Sequence, residues 1–180
     1  MSGNTMDNDA FDTLMSSLDP PLIVVTAAVG EERAGCLVGF HAQSSIDPGR
    51  YCVWLSKANH TYRVVLRSTH LGIHFLTSGD LATADIFGTL TGDNVDKFAK
   101  ISYQDGAEGV PVLSDCPHHL VVRRVALLDE GGDHVCIITE PVAVHSPARF
   151  EPLRLFQAEH LVPAHDNQER NGPPTERSNR

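Results

Sequence analysis

Between residues 9 and 18 the apolar side chains fall at Phe11, Leu14, Met15 and Leu18. That spacing places all four on one face of an α-helix. Asp19-Pro20-Pro21 ends the helix, because proline lacks the amide donor and restricts the residue before it. Residues 22–29 form an unbroken β-branched and apolar run, which reads as a buried strand. Gly30-Glu31-Glu32-Arg33 turns the chain into a second strand over 34–40. A polar stretch, 41–50, reads as a loop before the strand Tyr51-Cys52-Val53-Trp54-Leu55.

The polar run Ser56-Lys57-Ala58-Asn59-His60-Thr61 then opens a short helix predicted to reach Arg67. Leu71-Gly72-Ile73-His74-Phe75 alternates as a strand does. Asp80 and Asp93 are candidate N-caps for helices over 81–87 and 95–101, with Asp96 placed as in a capping box. Two further strands, 119–128 and 134–144, are joined across Asp129–Asp133 by a Gly131-Gly132 hairpin turn. Pro141 inside the second of these predicts an edge or a bulge, and a short strand is expected over 153–156. Strands do not alternate regularly with helices, so a doubly wound parallel sheet is disfavoured. The pattern predicts a mainly β, antiparallel barrel, closed or partly open, over residues 9–165. Residues 1–8 and 166–180 are expected to be disordered, the tail because it holds no apolar side chain except proline.

A chain of 180 residues with 41% hydrophobic and 21% charged side chains suits one soluble domain. The formal net charge of -9 argues against a nucleic-acid partner and against an anionic membrane surface. No apolar run reaches the roughly 18 residues of a membrane span, and the polar N-terminus does not read as a secretory leader. A cytoplasmic location is the expectation. Cys36, Cys52, Cys116 and Cys136 include no Cys-x-x-Cys pair and read as structural thiols. No His-x-x-x-His spacing falls on a helical stretch, so no metal site is expected.

Candidate chemistry lies at three places. Ser56–Thr61 joins a strand to a helix start, where free amides, two hydroxyls and the Lys57 ammonium could meet a phosphate. An ordinary cap with a solvated lysine explains the same residues equally well. His41–Pro48 could offer hydrogen bonds to a planar heterocycle, although a plain connector is the commoner meaning of such a loop. Gly132-Asp133-His134 places a histidine at a hairpin, either as a proton shuttle or as a turn residue. A Rossmann glycine fingerprint and a Gly-x-Ser-x-Gly elbow are both absent from the sequence.

In order and spacing, these segments resemble the flavin reductase-like family of FMN-binding split barrels over residues 11–156. The resemblance is carried by Leu18–Thr26, Gly35–Pro48, Val53–Thr61, Leu81-Ala82 with Phe87, Asp96-Lys97-Phe98, Gly109–Leu113, Gly132-Asp133-His134 and Pro152-Leu153. It implies a Greek-key-like split barrel with short peripheral helices. It also implies a homodimer, and an oxidoreductase passing hydride from NADH or NADPH to FMN, with FAD as an alternative. A separate monooxygenase component is an implied recipient of the reduced flavin.

Carried over residue by residue, Gly39, Phe40, Gln43, Ser44 and Ser45 would lie along the ring and ribityl chain. Ser56, Lys57, Asn59 and Thr61 would hold the phosphate, and Phe87 would lie near the flavin. His134 would face the nicotinamide or the flavin edge. Gln43, Leu37 and Gly49 depart from the family's usual residues. A flavin-binding protein without turnover, and a dimer binding another planar ligand, are the alternatives. His41 and His60, beside the two loops, are read as surface histidines, with site residues peculiar to this branch as the alternative.

Overall fold

The structure, a computed structural model, describes residues 8–162. The expected disordered ends lie outside those residues, except that Asn8 opens the first helix. Seven strands form one antiparallel sheet in the order β2-β1-β5-β8-β9-β4-β3. They are β1 (Ile23–Val29), β2 (Glu32–Val38), β3 (His41–Ser45), β4 (Arg50–Ser56), β5 (His70–Phe75), β8 (His119–Leu128) and β9 (His134–His145). A separate hairpin is made by β6 (Tyr103–Asp105) and β7 (Pro111–Leu113). The three α-helices of the described residues are α1 (Asn8–Ser16), α2 (His60–Val65) and α3 (Leu81–Thr89).

Chain connectivity explains the curl of the sheet. β2 and β3 stand at its two ends, yet only Gly39 and Phe40 separate them in sequence. Phe40 carbonyl accepts from the Trp54 amide at 2.8 Å, so the chain leaving β2 lies against β4. The sheet must therefore bend into a partly closed barrel, as the sequence predicts. Its interior holds alternate residues of each strand: Ile23 and Val25, Cys36, Val53 and Leu55, Leu71 and Ile73, Val135 and Ile137. Val64 and Val65 of α2 join that interior.

A second core lies outside the barrel, where Leu22 and Val24 meet Phe87 of α3, Phe98, Leu113 and Leu153. β1 is thus covered on both faces, which accounts for its unbroken apolar sequence. His74 is fully buried and joins three elements. Its Nδ1–H donates to Val24 carbonyl at 3.2 Å, and its Nε2 accepts from the Leu113 amide at 3.0 Å.

Several segments differ from what the sequence pattern predicts. Of residues 41–50, expected as a loop, 41–45 are the strand β3 and only 46–49 are a turn, since β3 pairs with β4 through its backbone and needs no apolar side chains at a sheet edge. Asp93 caps no helix; it pairs with Arg63 and His60, while Asp96 caps a 3-10 turn through Phe98 and Ala99 amides. Asp80 makes no cap bond to α3; its carboxylate closes a capping box on the preceding 3-10 turn by accepting from Thr77. Residues 153–156 form no strand, only bridges at Pro152 and Arg154 followed by a 3-10 turn. Pro141 lies at a bulge in β9, as predicted. The helix α1 ends at Ser16, so its stripe holds Phe11, Leu14 and Met15 with Leu18 beyond it, and all four remain exposed.

Candidate functional site

A cleft of about 730 Å³ runs along the outside of β2, between the end of β4, the C-terminal half of α3 and the 3-10 turn that follows Arg154. One wall is β2 and its exit, from Cys36 through Leu37, Val38 and Gly39 to Phe40. Another is Trp54, Leu55 and Ser56 of β4 with Asn59 beyond it. Phe87, Gly88, Leu90 and Thr91 face them. Leu22, Leu155 and Leu161 extend the apolar lining at one end, and His134 closes the rim. Mostly apolar walls with a few convergent polar groups are what a planar ligand of nucleotide size requires.

Local sequence explains the shape. Gly35 lies directly under the Phe87 ring: a Cβ there would come 2.6 Å from its Cε1 atom. Phe87 also packs edge-on against Phe98, with centroids 5.8 Å apart. Phe40 is 62% exposed and leans edge-on against His134 at 5.2 Å. His134 Nδ1 hydrogen-bonds Asp133 Oδ1 at 2.7 Å, which orients the ring.

The Ser56–Thr61 segment is closed on itself. Asn59, not Thr61, is the N-cap of α2: its Oδ1 accepts from the Thr61 amide at 3.0 Å. Ser56 Oγ accepts from the Ala58 amide, Ser56 carbonyl from the Asn59 amide, and Asp133 carbonyl from the Lys57 amide. The Lys57 ammonium stands 2.7 Å from Asp129 Oδ1 on the β8–β9 hairpin. That hydrogen bond holds the exposed Asp129 carboxyl below its usual range. Both side chains remain substantially exposed, so the pair is weakly held and open to exchange.

Of the residues expected at the site, Gly39, Phe40, Ser56, Asn59, Phe87 and His134 line the cleft. Gln43, Ser44, Ser45, Lys57 and Thr61 do not. Gln43 and Ser44 are exposed on the edge strand β3, with Gln43 bonded to Ser45 carbonyl and Ser44 to the Cys52 thiol. Thr61 is buried beside Cys36. His41 is no free surface histidine: its Nε2–H donates to Pro21 carbonyl at 2.9 Å, and its Nδ1 meets the Tyr51 hydroxyl at 2.6 Å. Burial pushes the Tyr51 hydroxyl up to about 12 and lowers His41, so both stay neutral. His60 contacts Glu32 and Asp93.

The sequence profile of a family described as "Flavin reductase like domain" matches residues 15–164. The chain belongs to this family. A protein of Rhizobium meliloti (strain 1021) described as a probable flavin reductase is 29% identical over 118 residues, which cover 63% of the chain. The match spans only 37% of that relative's length. Among solved structures, an NADH:FAD oxidoreductase of Streptomyces globisporus superposes with a TM-score of 0.73 at 20% identity, covering 86% of this chain and 91% of its own. An FMN-binding protein of Thermus thermophilus gives 0.66 at 22% identity, covering 80% and 74%. These likenesses establish the split-barrel fold.

Within this flavin reductase like domain, Trp54, Thr91 and Lys97 line the cleft although the sequence assigns them no site role, and Leu37, a departure from the family's usual residue, lines it too. Trp54 reads simply as a strand residue. Lys97 follows a capping aspartate, where a lysine is ordinarily solvated; nothing local announces that the chain folds over it.

Proposed function

We propose that the cleft holds a flavin and that the protein is a flavin reductase, taking hydride from NADH or NADPH. The observation carrying this reading is the apolar slot between β2, Trp54 and Phe87, with hydroxyl, amide and imidazole groups gathered at its Ser56–His134 end. Its volume of about 730 Å³ suits a flavin mononucleotide. Family membership and the neighbouring flavin enzymes support the same choice. A bound flavin would accept the hydride and pass the electrons onward, chemistry that no side chain of the chain supplies.

The protein's own part is positioning and electrostatics. Leu37, Phe40, Trp54 and Phe87 would exclude water and keep the ring plane fixed, so that a nicotinamide meets it in one orientation. Ser56, Asn59 and Lys57 would receive the phosphate. For Lys57 this means leaving Asp129, an exchange between two anions across an exposed pair. His134, oriented through Asp133, would border the nicotinamide. Gln43, Ser44 and Ser45 would reach a flavin only across a subunit boundary, on the partner's ligand.

That role fits a homodimer. β3 is a sheet edge flanked by two exposed apolar residues, Phe40 before its first residue and Ile46, 89% exposed, at the hairpin tip after its last. Edges and apolar tips of this kind are normally covered. A monooxygenase taking the reduced flavin is a further proposed partner, and the cytoplasm the proposed location; among the described residues no helix is long and apolar enough to cross a membrane.

Steady-state oxidation of NADH and NADPH, followed at fixed enzyme with FMN or FAD added, tests the reading. Flavin-dependent consumption of one nicotinamide is expected. No consumption with any of the four pairings would leave only a flavin-binding or other ligand-binding role.

A further inference from the structure

Lys97 is 5% exposed, yet no carboxylate pairs with it among the described residues. Its Nζ donates to Gly35 carbonyl at 2.9 Å and Phe87 carbonyl at 3.2 Å. An ammonium has three donors, so one N–H has no acceptor among the described residues. Lys97 lines the cleft and also an adjoining cavity on the side of Gly35 and Asp96, and its Nζ lies over the Phe87 ring, 5.6 Å from the centroid. Gly35 and Phe87 are the same two residues whose close contact sets the floor of the slot.

A buried charge without a counter-charge is costly, and usually a partner or neutralisation removes the cost. Cys36 beside it provides no such partner, since burial raises that thiol and keeps it protonated. Burial correspondingly lowers the Lys97 ammonium. A hydrophobic residue of similar length would fill the space without this penalty. The arrangement makes sense if the missing negative charge arrives with the ligand. A flavin ring gains negative charge on reduction, whereas the oxidised ring is neutral. A cation fixed in a low-dielectric floor acts strongly on such a difference.

Resting on the flavin reading above, we propose that Lys97 is the positive charge that makes this cleft hold the reduced ring more tightly than the oxidised ring. It is a positioning and electrostatic residue for hydride acceptance, distinct from the Ser56–Asn59 end of the cleft. Its two carbonyl bonds prevent it from swinging away, so the field is present before the hydride arrives.

The test compares binding of oxidised and anaerobically reduced FMN by wild type, Lys97→Met and Lys97→Arg, with the midpoint potential of bound FMN measured in parallel. For Lys97→Met, oxidised FMN is expected to bind within about threefold of wild type, and reduced FMN about tenfold more weakly, the scale of one charge-assisted contact. That ratio corresponds to a fall of about 30 mV for a two-electron couple. Lys97→Arg should keep the wild-type ratio. Equal weakening of both forms would mean that Lys97 only braces the floor, and would overturn the proposal. Should Lys97→Met not fold, the wild type decides alone: tighter binding of reduced than of oxidised FMN supports the proposal, and the reverse order overturns it. Wild type binding neither form would instead bring down the flavin reading itself.

Discussion

Gly35 shows how one missing side chain shapes the cleft. A methyl group there would sit 2.6 Å from Cε1 of Phe87 and 3.2 Å from Val25 carbonyl, so the ring must move and the floor must rise. Gly35→Ala is expected to cost about 1–3 kcal/mol of stability, the range for overpacking, and to weaken FMN binding; urea denaturation and a fluorescence titration check both. His74 carries a different prediction. Burial drives its pKa from 6.5 down to about 3, so the unfolded chain binds a proton that the folded chain refuses. Its neutral form therefore favours folding above pH 6.5, and that contribution is lost as pH falls from 6.5 toward 3, by up to about 1.4 kcal/mol per unit. Urea midpoints between pH 7 and 5 should fall in wild type, and more shallowly in His74→Gln. At this scale the sequence was least informative. His74 reads as one more alternating strand residue and Lys97 only as part of the Asp96-Lys97-Phe98 run, because the burial of each depends on segments distant in sequence: Leu113 and Val24 for one, Gly35 and Phe87 for the other.

At the level of elements, the short helix α2 and its leading loop divide two roles that one residue could confuse. Asn59 caps the helix and also lines the cleft. Asn59→Ala should lower stability by about 0.5–2 kcal/mol. Asn59→Asp should keep the cap, since a carboxylate also accepts from the Thr61 amide, while placing a negative charge where a phosphate is proposed to sit. Thermal melts near wild type together with weakened FMN binding are the expected pair of results. The exposed Lys57–Asp129 pair makes a complementary prediction: Asp129→Ala should tighten FMN binding by freeing the ammonium, and Lys57→Ala should weaken it by about 1–3 kcal/mol. Elements with strong periodicity were legible from sequence, as β1, β5, β8 and β9 show. β3 was not, because an edge strand held by backbone pairing alone carries no apolar alternation, and Gln43-Ser44-Ser45 read as a connector. The β6–β7 hairpin is only three residues on each side, too short to leave a pattern.

Across the whole molecule, the topology is a consequence of joining opposite ends of a seven-stranded sheet through Gly39 and Phe40. The same join brings β2 beside β4 and so creates the cleft. The barrel class was readable from the strand order along the chain, but the cleft was only partly so. Six of the eleven expected site residues line it; the others stand on β3, on the hairpin side of Lys57 or inside the barrel. The proposed dimer belongs to this scale. Sedimentation velocity should give twice the 19.6 kDa chain mass, and Ile46→Asp with Phe40→Glu should shift the protein toward monomer and reduce flavin binding. Hydride transfer to a bound flavin is decided when the protein, loaded with FMN under anaerobic conditions, receives a stoichiometric amount of NADH or NADPH. Bleaching of the visible flavin band by one of the two is the predicted result. A bound flavin whose spectrum neither nicotinamide changes would contradict it.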